Sequence, residues 1–184
     1  MSEENKRADE LRLKRAGILK ARELDRLRGL HGHALASIIA KTTGVSVALD
    51  DFDVKQGLSL NFDWPKNLAL APGLAAPYVG KSEAGELLAC IQEKLTSISG
   101  WIGFHDKDYL GFARVEEVSP ISLLAVSEAT EDSVLFHVER PRGIIFVDCY
   151  PCPPSEPFSV VVQGADLAIE LAPCFSSRGP RSVA

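Results

Sequence analysis

Between Leu24 and Ile38 the apolar positions recur three and four apart, as Leu24, Leu27, His31, Ala34 or Leu35, and Ile38. That alternation places them on one stripe of an α-helix. Residues 2–43 therefore read as helix, with Ser2 able to cap the start. Upstream the pattern is poorer, because Leu11, Leu13, Ile18 and Leu19 do not continue the stripe. Gly17, Gly29 and Gly32 each weaken a helix by about 1 kcal/mol relative to Ala. The expectation is a frayed or separately docked arm over 1–17, followed by a packed helix ending near Gly44.

Further on, residues 45–49 read as a short strand closed by Asp50, Asp51 and Asp53. Residues 54–81 read as irregular, since Gly57, Pro65, Pro72, Gly73, Pro77 and Gly80 interrupt every candidate element. Their leucines and aromatics are those of a packed segment, not a linker. Ser82 is placed to cap a second helix with Leu87 or Leu88, Ile91, Leu95 and Ile98 on one face and Gly100 as terminator. The period then changes from helix to strand. Residues 101–105 and 109–115 flank Asp106-Lys107-Asp108 as a hairpin. Ser119-Pro120 begins a short helix to about Glu128. Strands follow at 133–139, 144–150 and 158–163, then one or two helical turns at 165–171 and a disordered tail at 176–184. Short connections favour antiparallel neighbours. The reading is α+β: a single domain over 18–175, N-terminal helices first, then a mostly antiparallel sheet of about five strands with one short inserted helix.

Charge divides the chain. Residues 1–30 hold nine Lys/Arg against six Asp/Glu, and the remainder holds eleven against nineteen, so an arm of +3 precedes a body of −8. An acidic body repels phosphate backbones, which disfavours nucleic acid as a partner. It suits a basic protein, whose approach complementary charge accelerates. No apolar run is long enough for a membrane span, and the start has no secretory pattern. With only four cysteines, these features lead to the expectation of a cytoplasmic protein without membrane contact.

Candidate chemistry is sparse. Cys149-Tyr150-Pro151-Cys152 has redox or zinc spacing, but Pro153, Pro154 and Pro157 prevent a helix from opening behind it to stabilise a thiolate. A zinc site would need Cys174 and either His137 or Cys90 as well. Cys149, Cys152 and Cys174 are thus weak metal candidates, and no metal or other cofactor is expected. His31 and His33 stand two apart, on different helix faces. Acid–base chemistry would need His105 or His137 to meet Asp148 or Glu128. Short nucleotide-binding, hydrolase and metalloprotease motifs are missing.

The expectation is a small non-catalytic protein-binding protein, in its sharpest form an immunity or antitoxin protein masking a basic partner. The layout, helices then antiparallel sheet, resembles that of a family of bacterial immunity domains, without that family's sequence motifs. Its binding surface is expected at two acidic turns, Asp50, Asp51 and Asp53 in one and Asp106 and Asp108 in the other. The alternatives are an enzyme using histidine–carboxylate pairs and a regulatory or structural subunit.

Overall fold

A computed structural model describes residues 3–53, 73–149 and 157–176. Four helices and seven strands occur among them. The helices are α1 (Glu3–Thr43), α2 (Lys81–Leu95), α3 (Ser122–Thr130) and α4 (Ala165–Ser176). The strands are β1 (Phe52–Asp53), β2 (Gly73–Val79), β3 (Ile98–Phe104), β4 (Phe112–Val118), β5 (Val134–Val138), β6 (Gly143–Cys149) and β7 (Phe158–Gln163). They form one sheet in the order β1-β4-β3-β5-β6-β7-β2, every pairing antiparallel. The fold is α+β.

α1 runs for 41 residues, about 60 Å, through Gly17 and Gly29 without a break. Side chains from Glu10 to Glu23 are all exposed. From Leu24 onward the helix docks: Leu24, Leu27, His31 and Ile38 are half-buried and Leu35 is buried, but Ala34 is exposed. The deepest contacts lie to one side of the expected stripe, at Gly32, Leu35, Ala36 and Ile39. Glycine explains the rotation. A Cβ on Gly32 would stand 2.1 Å from Leu49 Cδ1, so the bare backbone lets Leu49 close onto the helix. Burying Leu35 and Ile39 contributes about 1.5–3 kcal/mol each.

Several expected elements are corrected by tertiary contacts. Residues 45–49 are not a strand: the Asp51 carboxylate accepts the Ala48 N–H at 2.7 Å and turns the chain into a 3₁₀ turn, Leu49–Asp51, before β1. The expected irregular segment 54–81 contains an edge strand, β2, over its described part, while 54–72 lie outside the described residues. Pro77 is tolerated there because the pairing with β7 shifts between Ala76 and Val79, and an edge strand can spare a donor. α2 is capped by Gly80, whose carbonyl accepts the Ala84 N–H at 2.9 Å; Ser82 is already inside the helix. It ends at Thr96, with φ 53°, so Ile98 and Gly100 belong to β3. α4 continues past residue 171 through Pro173, held by the burial of Leu171 and Cys174. The expected tail is described only as far as Ser176.

All four helices pack on one sheet face, where alternate strand residues such as Ile102, Phe104, Val115, Phe136, Val147 and Val160 form the main core with Leu87, Leu88, Ile91, Leu123, Leu167 and Leu171. The other face carries a smaller apolar cluster of Phe112, Leu135, Phe146 and Val161, with Trp101 against it. Among the described residues no helix is long and apolar enough to cross a membrane.

Candidate functional site

Gly32 organises the acidic end of the molecule. Leu49 packs against it from the turn before β1, and Leu110 Cδ2 would lie 3.6 Å from a Cβ there. Leu110 closes a second 3₁₀ turn, Asp108–Leu110, between β3 and β4. The two acidic turns, some fifty residues apart in sequence, therefore meet against the C-terminal part of α1. β1 pairs with the start of β4, Asp53 opposite Phe112, and fixes the same end of the sheet. Asp50, Asp51 and Asp106 are exposed, Asp53 is half-buried, and Asp108 opens the second turn. One cation crosses between these parts: Arg28 on α1 donates to the Phe52 carbonyl at 2.7 Å.

The β3–β4 turn is held from below. Asp132 is buried, and one of its carboxylate oxygens accepts the Asp106 N–H at 3.0 Å while the other accepts Lys107 Nζ at 2.7 Å. Ser127 Oγ donates to the Asp132 carbonyl at 2.8 Å and ties it to α3. Lys107 is thereby directed inward, toward Asp132. His105 Nδ1 lies 3.1 Å from Asp106 Oδ1. What results is an exposed anionic rim with a rigid base. Sequence reasoning missed Asp132 because it stands 25 residues from Lys107, at a turn with no pattern of its own.

The open sheet face carries a second polar feature. Along one row across the strands run Arg114, Trp101, His137, Ile144 and Gln163. The Arg114 guanidinium lies 5.7 Å from the Trp101 ring centroid and bonds Glu139 at 2.7 Å. His137 meets the Phe112 ring edge-on at 5.1 Å. His137 Nε2 and Gln163 Nε2 are buried without hydrogen-bond partners. Burial pushes the His137 imidazole down to a pKa of about 4, so it is neutral at physiological pH.

The acid–base pairs considered from sequence are not assembled. His137 pairs with Ile144, four residues along β6 from Asp148, which is about 13 Å. Asp148 accepts from Ser133 instead, Glu128 bonds Lys81, and the His105–Asp106 contact is exposed. His31 packs beside Tyr109, ring centroids 6.3 Å apart, and His33 is exposed.

The cysteine reading is corrected. Cys174 on α4 is disulfide-bonded to Cys90 on α2, with Cα atoms 5.7 Å apart, because these helices pack side by side. Cys174 and Cys90 are thus removed from any zinc set with Cys149. Cys149 ends β6, half-buried opposite Phe158, and Cys152 lies outside the described residues. Among the described residues no group of three or more His, Cys, Asp or Glu side chains could hold a metal ion.

Comparison with family models, curated proteins and solved structures yields no match for the chain.

Proposed function

We propose that this is a non-catalytic protein-binding protein whose anionic end engages a basic protein, in the manner of an immunity or antitoxin protein masking its target. The observation that carries the reading is the convergence of the 50–53 and 106–108 turns on Gly32 of α1. Two acidic turns share one end, where Lys107 is drawn toward buried Asp132 and Arg28 is engaged by the Phe52 carbonyl. Carboxylates on a rigid base suit electrostatic steering, since little side-chain ordering is left for binding. The same charge disfavours nucleic acid.

Low cysteine content fits a cytoplasmic protein, whereas a disulfide persists best in an oxidising compartment. Thiol labelling of protein taken directly from its cell separates the two: blocked Cys90 and Cys174 exclude a reducing location.

The test of function is affinity purification from the native cell at low salt, followed by kinetics on any stoichiometric basic protein recovered. Asp50→Lys with Asp106→Lys should slow association at least tenfold, and wild-type association should slow as salt rises. Association insensitive to both would remove the reading.

A further inference from the structure

We infer that the chain forms a two-fold dimer in which the exposed arm of each α1 lies antiparallel in a groove on the other copy. The inference shares Asp50 with the acidic-end reading, but its test uses the purified protein alone and the Ile18 and Leu19 changes lie outside that end, so the two readings fail separately.

The arm presents exposed apolar side chains among the described residues. Its backbone is helical from Glu3, yet described side chains up to Glu23 are all exposed, a projection of roughly 30 Å. An unsupported helix of that length with Gly17 inside it is marginal in water. Leu11, Ile18 and Leu19 are 52%, 55% and 65% exposed. At 100° per residue they share one face with Arg15 and Arg22, and Gly29, Ala36, Ser37 and Ala40 continue that face along the margin of the side of α1 that packs on the body.

That same face, followed toward the C-terminal end of α1, becomes a groove. It is lined by Ala36, Ser37 and Ala40 on the helix and by Val47, Leu49 and Asp50 on the returning chain, with a volume of about 570 Å³. One half of the face thus has bulky apolar side chains and arginines; the other has small side chains, apolar walls and an acidic rim. The halves complement each other, and only a second copy run antiparallel matches both at once. Such a contact is isologous and closes as a dimer.

The register follows from seating Ile18 over Ser37 and Leu19 over Ala36. Arg22 then falls opposite His33, beside Asp50, and Arg15 falls over Ala40, near the C-terminal carbonyls of α1, where positive charge is favoured. The symmetry axis passes beside Arg28, with Arg26 of one copy over Gly29 of the other. Nothing lies within 4 Å of the space a Gly29 Cβ would occupy, so the helices can approach closely there. Residues 3–23 hold seven Lys/Arg against five Asp/Glu, and residues 31–184 hold eleven against nineteen, so a basic arm meets an acidic body.

The experiment is sedimentation velocity on the full chain from about 1 to 100 µM. A mass twice the 19.9 kDa of one chain is expected at the upper end. Ile18→Glu with Leu19→Glu should yield a monomer with unchanged circular dichroism and melting temperature, since both side chains are exposed in the single chain. Arg22→Glu and Asp50→Lys should each weaken dimerisation at least tenfold, and together in one chain should restore most of it. A wild-type monomer at about 100 µM would overturn the inference. So would a dimer that survives the Ile18/Leu19 changes, or a monomer whose arm sediments with anionic vesicles.

Discussion

Lys107 Nζ lies 2.7 Å from the Asp132 carboxylate, whose side chain is fully buried while that of Lys107 is 23% exposed. The pair is therefore asymmetric. Without its lysine, Asp132 would be a buried charge supported by the Asp106 N–H; without its aspartate, Lys107 can turn into solvent. Removing one partner of a buried pair costs about 3–5 kcal/mol. Lys107→Met should approach that range in urea unfolding, and Asp132→Asn should cost distinctly less. A double-mutant cycle that finds the two changes additive would show that the pair is not coupled.

His137 makes stability fall in mild acid. Its imidazole has a pKa of about 4 in the folded protein against 6.5 when exposed, the cause being burial. The unfolded chain therefore binds more protons between those values. The contribution is fully present above pH 6.5 and is lost as pH falls through 4, amounting to about 2–3 kcal/mol. His137→Phe should flatten unfolding free energy between pH 6.5 and 5, where few carboxylates titrate. An unchanged slope would place the acid sensitivity elsewhere.

Cys90 and Cys174 close a loop of 84 residues and fasten α4 to α2. Constraining an unfolded chain over that distance is worth about 4 kcal/mol. Cys90→Ala with Cys174→Ala should lower the melting temperature by roughly 10 °C. Adding a reductant to the wild type should produce a similar drop, and adding it to the variant should not.

Gly100 permits β3 and β5 to approach. A Cβ there would stand 1.8 Å from the His137 carbonyl oxygen, a backbone atom that cannot move aside. Gly100→Ala should destabilise by about 3 kcal/mol or more. Gly85→Ala in α2 meets only Leu124 Cδ2 at 3.8 Å, so it should stabilise by up to about 1 kcal/mol through helix propensity. If both changes behave alike, the steric argument fails.

Legibility in the sequence followed the range of the forces involved. The strands at 134–138, 143–149 and 158–163 and helices α1 and α2 were legible because their apolar period repeats along several residues. β1 and β2 were not, since each is an edge strand whose existence depends on a neighbour distant in sequence, Phe112 for one and Val160 for the other. The acidic turns were visible as composition, and Asp132 beneath them was not.

The sequence alone determined the α+β class, the order of most elements and the split between a basic arm and an acidic body, because period, turn residues and charge are local properties. Only the tertiary structure decided that Cys174 meets Cys90, that Lys107 is drawn inward to Asp132, and that the two acidic turns share one end. Each of these depends on helices and strands brought together by burial of the core. A pairing set by packing leaves no periodic trace in the chain that makes it.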